Sequence, residues 1–352
     1  MKIGIITFHD TTNFGSLLQT FGLYKAIVNL GYDCEVIDYK CDEIVRRELP
    51  PVFEFSLSIR KIIQEVFFNR RIRNKYNEFA RFMADNMNLS KSYTRDDIKQ
   101  SVSSYDKIIV GSDIVWGLDI TNSDLTYFLD FVSDKKKKYA FSSSIGSEWS
   151  QSEQLIVGPL LRDFNRIAVR EEQAVKWVYE ASGFRADLVC DPTMLLPGSE
   201  WAKYASNIGA NQKYVLVYFD TQNRDCLKKA GILAKKYNLK IVLINYWRPV
   251  WGVCNMAPTA PENFIGLFKN ASFVVTASYH GLLFSTYFQR EVIYYNRAHK
   301  SRMSSLGDIL GISDRDGTSN IEFDKMDYSS INNRLEQFRN SSLSILTEML
   351  HD

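Results

Sequence analysis

Short runs of β-branched and aliphatic residues punctuate the chain, and each breaks off into small or polar ones. Lys2 to Phe8, Cys34 to Ile37, Lys107 to Val110, Tyr139 to Phe141, Ile167 to Val169 and Leu188 to Cys190 are such runs, and each predicts a buried strand. Between the first two, Phe14, Leu17, Leu18, Phe21, Tyr24 and Val28 recur at helical spacing. Asn13 stands where it can cap that helix, and Gly31 follows its end. Strand, helix, strand at this spacing is the crossover unit of a parallel sheet. A second alternation predicts strands over 214–219, 240–244, 273–275 and 292–295, with helices over 225–237, 262–269 and 281–289 between them. A last helix spans 328–350. Residues 192–201, with Pro197-Gly198-Ser199 as the break, read as a linker. The pattern predicts an α/β protein of two halves facing across a cleft: residues 1–196, residues 197–325, and a C-terminal helix over 326–352.

Bulk properties narrow the class. At 352 residues the chain exceeds one ordinary core. Its 45% apolar and 24% charged residues are ordinary for a folded protein, and a net charge of +2 argues against a nucleic-acid binder. The opening Met1-Lys2-Ile3-Gly4-Ile5-Ile6 runs straight into a strand, so no leader is expected. Cys34, Cys41, Cys190, Cys226 and Cys254 lack ligand-type spacing, which predicts reduced thiols of a cytoplasmic protein and neither zinc nor disulfides. Residues 57–82 are different. Arg60, Lys61, Arg70, Arg71, Arg73, Lys75 and Arg81 outnumber Glu65 and Glu78, with Phe67, Phe68, Tyr76, Phe79 and Phe82 among them. A solvated helix with one core face accounts for this pattern; contact with an anionic membrane surface, at the inner face of the membrane, or with a pyrophosphate-linked substrate is the sharper expectation.

The chemistry concentrates after strand ends. Val274-Val275-Thr276-Ala277-Ser278-Tyr279-His280-Gly281 places one of only four histidines where a strand's carboxyl end meets a helix's amino end. Ligands of open α/β sheets sit there, and the helix start favours an anion. His280 is therefore the candidate acid/base group, although a satisfied core histidine is the plainer alternative. Gly111-Ser112-Asp113 and Asn13-Phe14-Gly15-Ser16 follow strands in the same way, either offering backbone N–H groups to a ligand or simply starting helices. Arg170 could grip a phosphate or carboxylate, or pair with Glu171 or Glu172. No Gly-x-Gly-x-x-Gly or Walker motif is present, and Asp314-Arg315-Asp316 reads as a solvated turn rather than a metal site.

In chain order, Thr12 to Leu23, Gly111 to Trp116, Tyr139 to Gly146, Ala168 to Glu172, Cys190 to Thr193, Ser278 to Gly281 and the stretch from Arg302 to Arg315 resemble the polysaccharide pyruvyl transferase family. The resemblance spans about residues 3–315. It implies two Rossmann-like domains in a GT-B-like layout. It also implies transfer of a pyruvyl group from phosphoenolpyruvate to two hydroxyls of a sugar as a cyclic ketal, in capsule or exopolysaccharide assembly. The acceptor would be a sugar or a lipid-linked oligosaccharide, with no cofactor and no metal. His280 would be the general acid and Arg170 an anion clamp. Asn13, Gly15, Ser16, Gly111, Ser112, Asp113, Ser278, Tyr279, Gly281, Lys300 and Arg302 would contact substrates. Gly117 and Leu282 depart from the family's polar and hydroxyl residues there. A nucleotide-sugar glycosyltransferase of GT-B type and a non-catalytic carbohydrate-binding protein on the same fold are the alternatives.

Overall fold

The computed structural model describes residues 1–48, 59–219, 224–246, 249–296, 301–318 and 325–351; over 59–68 and 301–302 it describes the backbone alone. The chain forms two compact units. Unit 1 holds Met1–Phe55, Phe79–Leu196 and Phe338–Asp352; unit 2 holds Ser56–Glu78 and Pro197–Gln337.

Unit 1 is built on β1 (Lys2–Ile6), α1 (Phe14–Asn29), β2 (Asp33–Val36), α2 (Asp42–Glu48), the end of α3 (Ile59–Asn86), β3 (Lys107–Val110), α4 (Leu118–Thr121), β4 (Lys138–Ser143), α5 (Gln151–Arg162), β5 (Arg166–Val169), α6 (Glu172–Ser182) and β6 (Asp187–Leu188). All six strands are parallel, in the order β2-β1-β3-β4-β5-β6. The order reverses direction between β1 and β3, so the carboxyl ends of those strands form the topological switch point. The near-continuous apolar runs follow from helices covering such a sheet. Trp116 stacks on Phe128 at 5.5 Å and meets Phe164 edge-on at 5.9 Å in the core.

Unit 2 contains α7 (Gly198–Trp201), β7 (Tyr214–Tyr218), α8 (Arg224–Tyr237), β8 (Lys240–Ile244), β9 (Cys254–Met256), α9 (Pro261–Asn270), β10 (Phe273–Thr276), α10 (Tyr279–Tyr287), β11 (Glu291–Tyr294), α11 (Ser301–Leu310) and the start of α12 (Tyr328–His351). Its five parallel strands run β11-β10-β7-β8-β9, with the switch between β7 and β10.

One sequence reading needs correction here, and another holds. Residues 192–196 are not a loose linker. Asp191 Oδ1 caps a 3₁₀ turn over Pro192–Leu195 by accepting from Thr193 N at 2.9 Å, and that turn is buried against α1. The last part of α12 is pinned to the same region, Arg339 Nε donating to Met194 O at 2.6 Å and Ser342 Oγ accepting from Cys190 N at 2.9 Å. Within 57–82 the helix does have the expected core face. Phe79 and Phe82 are buried against Phe14 and Phe21, with centroids 5.0 and 5.4 Å apart, because their spacing puts them on α3's core stripe.

Gly22 sits mid-helix in α1, where a methyl group would lie 2.5 Å from the Pro192 carbonyl oxygen. Alanine would normally gain about 1 kcal/mol of helix propensity there. The obstacle is rigid backbone, and overpacking of this kind costs about 1–3 kcal/mol. Gly22→Ala is therefore expected to lower stability by about 1 kcal/mol or more in urea titrations; a stability equal to or above wild type would show that the turn yields.

Candidate functional site

The site residues fall at the carboxyl edges of the two sheets. In unit 2, β10 ends at Thr276, whose hydroxyl donates to Tyr218 O of β7 at 2.7 Å and accepts from Ser278 N at 3.0 Å. This one hydroxyl fixes the turn that follows. Ser278 then caps α10, its Oγ accepting from Gly281 N at 3.4 Å. His280 occupies the first turn, half-buried, its ring edge-on to Tyr279 at 5.5 Å. Gly281 is required by space, since a Cβ would stand 2.3 Å from Thr276 Oγ1. Ser278, Tyr279, His280 and Gly281 are thus brought together at the switch of this sheet.

Lys300 lies outside the described residues, and so does the side chain of Arg302. Next along the same edge, Asn296 Nδ2 donates to Asp316 Oδ2 at 2.7 Å, and Ser304 Oγ donates to Asn296 Oδ1 at 3.1 Å. The turn over Ser313–Arg315 is less solvated than its composition suggests. Arg315 is buried, its Nη1 3.7 Å from Glu291 and its Nε 3.2 Å from Asp314.

In unit 1 the structure gathers Asn13, Gly15, Ser16, Gly111, Ser112, Asp113 and Arg170 around the switch. Asn13 is the N-cap of α1, its Oδ1 accepting from Gly15 N at 2.8 Å. Gly111 is glycine by necessity, because its φ is +125° and a Cβ there would stand 2.2 Å from Phe141 O. Ser112 is buried and bonds Gln19 Oε1 at 3.0 Å, while Thr7 Oγ1 donates to Ser112 O at 2.8 Å. Asp113 is half-buried; its carboxylate accepts from Ser16 Oγ and from Ile114 N.

Arg170 is held tightly by its own unit. Its Nη1 lies 2.8 Å from Asp191 and 3.2 Å from Gln19 Oε1, and its Nε 3.2 Å from Glu171. One guanidinium thus faces two carboxylates within its own domain.

Sequence reading missed a second polar cluster at this edge. His9 is 1% exposed, with Nε2 2.8 Å from Asp38 Oδ1. Lys40 Nζ bridges Asp38 at 2.9 Å and Asp10 at 2.8 Å, and Ser92 donates to Asp38. Burial alone would raise the Asp38 carboxyl, but hydrogen bonds from His9, Ser92 and Lys40 outweigh it and hold the group well below the usual carboxylate range. Burial would lower the Lys40 ammonium, and the bonds to Asp10 and Asp38 raise it instead. The signal for this cluster was a histidine just past β1; its partners, far along the chain, gave none.

The sequence profile of the polysaccharide pyruvyl transferase family matches residues 13–299, and the chain belongs to that family. No curated protein matches it. Among solved structures it is similar to the UDP-GlcNAc 2-epimerase of Methanocaldococcus jannaschii, at 12% identity over 100% of each chain with a TM-score of 0.50. It is also similar to the Neisseria meningitidis UDP-GlcNAc 2-epimerase bound to UDP-GlcNAc, at 10% identity over 99% of each chain and a TM-score of 0.49. A third is SsfS6, a glycosyltransferase of Streptomyces sp. SF2575, at 12% identity over 98% of this chain and 96% of that one, with a TM-score of 0.41. Only the first is alike enough to support a shared fold, and it shows the fold alone. The chain is an α/β protein of two Rossmann-like domains, GT-B-like in class.

The Asp38 cluster gives a prediction with a definite sign. Asp38 is depressed on folding, so its contribution is in place above its ordinary value of about 3.9 and is lost as pH falls. Lys40 is raised, so its contribution is in place below about 10.4 and is lost as pH rises. Asp38→Asn leaves His9 facing a neutral group and Lys40 paired with Asp10 alone, and is expected to cost about 3 kcal/mol near pH 7. Urea unfolding across the pH range should also show a shallower acid limb for the variant; an unchanged acid limb would remove Asp38 from the account.

Proposed function

We propose that the protein transfers a pyruvyl group from phosphoenolpyruvate to two hydroxyls of a sugar, closing a cyclic ketal, in capsule or exopolysaccharide assembly on the cytoplasmic side. The observation that carries this reading is His280. It is half-buried, held in the first turn of α10 at the carboxyl edge of β10, and fixed there by the Thr276 hydroxyl.

The chemistry needs a proton donor beside a bound enol phosphate. The His280 imidazolium gives its proton to the methylene carbon of phosphoenolpyruvate, which becomes the methyl group. The neighbouring carbon turns cation-like, and a sugar hydroxyl oxygen attacks it. The C–O bond to phosphate then breaks, and the second hydroxyl oxygen closes the ring. One of the two hydroxyl protons replaces the one His280 gave up, and the other leaves with phosphate. The N–H groups at the start of α10 favour the donor's negative charge. In unit 1, Arg170 is paired with Asp191 and Glu171 and holds Gln19.

Incubation with phosphoenolpyruvate and a panel of galactose, glucose and mannose acceptors is expected to release phosphate and add mass to a sugar. His280→Gln should cut turnover by about a hundred- to ten-thousand-fold with an unchanged melting temperature. At about a hundred times its dissociation constant, phosphoenolpyruvate should stabilise the protein by about 2.7 kcal/mol. Protection by a nucleotide sugar and none by phosphoenolpyruvate, alone or with acceptor present, would overturn the assignment in favour of glycosyl transfer.

A further inference from the structure

The loop between β8 and β9 in unit 2 carries Trp251, which is 97% exposed. This loop is braced. Asn255 Oδ1 accepts from Val250 N at 2.9 Å, and its Nδ2 donates to Val250 O at 2.8 Å and to Val253 O at 3.1 Å. Val250 and Val253 pack on the core of unit 2. The chain therefore holds a large apolar ring out in solvent on a fixed backbone.

Tyr246 opens the same loop, and the Lys75 ammonium of α3 lies 4.1 Å from its ring centroid. This contact sets α3 beside the loop, within unit 2. One turn before Lys75 on that helix, Arg70, Arg71 and Arg73 are all exposed. At about 100° per residue they fan over roughly 160° of the helix surface. Residues 69–78 hold four cations and one acid, Glu78.

We infer that this face of unit 2 docks on an anionic lipid bilayer, with Trp251 in the headgroup layer and Arg70, Arg71 and Arg73 against the lipid charge. An indole suits the interface, being apolar in body with one N–H to keep wet. Basic side chains near an anionic surface add attraction that salt screens. Neither feature alone anchors a protein; an apolar contact and a basic patch together do. The contact is peripheral, as no helix among the described residues is long and apolar enough to cross a membrane. A neutral polysaccharide stacking on Trp251 would make no use of the three arginines.

The test is co-sedimentation of the full chain with vesicles of phosphatidylcholine alone and of phosphatidylcholine with phosphatidylglycerol. The protein should bind the anionic vesicles and not the neutral ones, and raised salt should release it. Trp251→Ala should weaken binding several-fold. Arg70→Gln, Arg71→Gln and Arg73→Gln combined should weaken it by roughly a hundredfold, about fivefold for each charge lost. Both variants should melt as wild type does and keep their activity on soluble acceptors. Absence of wild-type binding to anionic vesicles, equal binding to neutral ones, or undiminished binding by Trp251→Ala would each overturn the inference. So would Trp251-dependent binding to a soluble polysaccharide without any vesicle binding.

Discussion

Each sheet reverses its strand order once, and at each reversal a threonine hydroxyl ties the two diverging strands together. In unit 1, Thr7 after β1 donates to Ser112 O after β3 at 2.8 Å. In unit 2, Thr276 at the end of β10 donates to Tyr218 O at the end of β7 at 2.7 Å. At Ser112 the ladder has stopped and the carbonyl needs another partner, whereas Tyr218 O still accepts from Ala277 N at 3.2 Å and the Thr276 hydroxyl adds a second bond. A buried threonine satisfies that carbonyl with a side chain of almost the size and shape of valine. Net, such a bond contributes only about 1 kcal/mol. Its larger effect is geometric, because it fixes where the next turn begins.

What begins there is the candidate chemistry. After Thr276 come the cap Ser278, the ring of His280 and the close approach of Gly281. After Ser112 comes Asp113, locked to Ser16 and to its own following N–H. The position of His280 is therefore inherited from strand register through two hydrogen bonds, with no flexible link between. The buried Gln19, reached by both Ser112 and Arg170, extends the same logic one layer deeper in unit 1.

Legibility in the sequence followed the range of the interactions. Strands β1, β3 and β8 and helix α1 were readable because their signals, β-branched runs and a 3.6-residue apolar stripe, lie within a few neighbouring residues. The turn at Ser278 to Gly281 was readable for the same reason. Helices α5 and α6 were passed over, although Ser150 and Glu153 form a capping box and Gly183 ends α6 with φ of +73°. Short β9 carries Cys-Asn-Met, with no β-branched residue to mark it. The His9 cluster was out of reach for a different reason. His9, Asp38 and Ser92 meet only once β1 and β2 are paired. The buried 3₁₀ turn at Pro192 was misread because proline and glycine nearby signal a break whether or not the chain is exposed.

Arg170 shows why residue type and strand position are not enough to assign a role. A guanidinium just past β5 looks like an anion clamp, and its charge is present in every case. A clamp, however, needs charge that its own domain has not neutralised. Here two carboxylates of its own unit already stand within ion-pair distance of the guanidinium, at 3.2 and 2.8 Å. Recruiting Arg170 to a phosphate would pull it away from buried Asp191, and breaking a buried pair costs several kcal/mol. Under the proposed reaction, the attraction for an anionic donor would come from the start of α10 and from His280. The proposed reaction would then place two demands on one turn, giving the proton and holding the phosphate. On that proposal, loss of the ring would weaken donor binding together with the chemical step, whereas loss of Arg170 would first loosen unit 1.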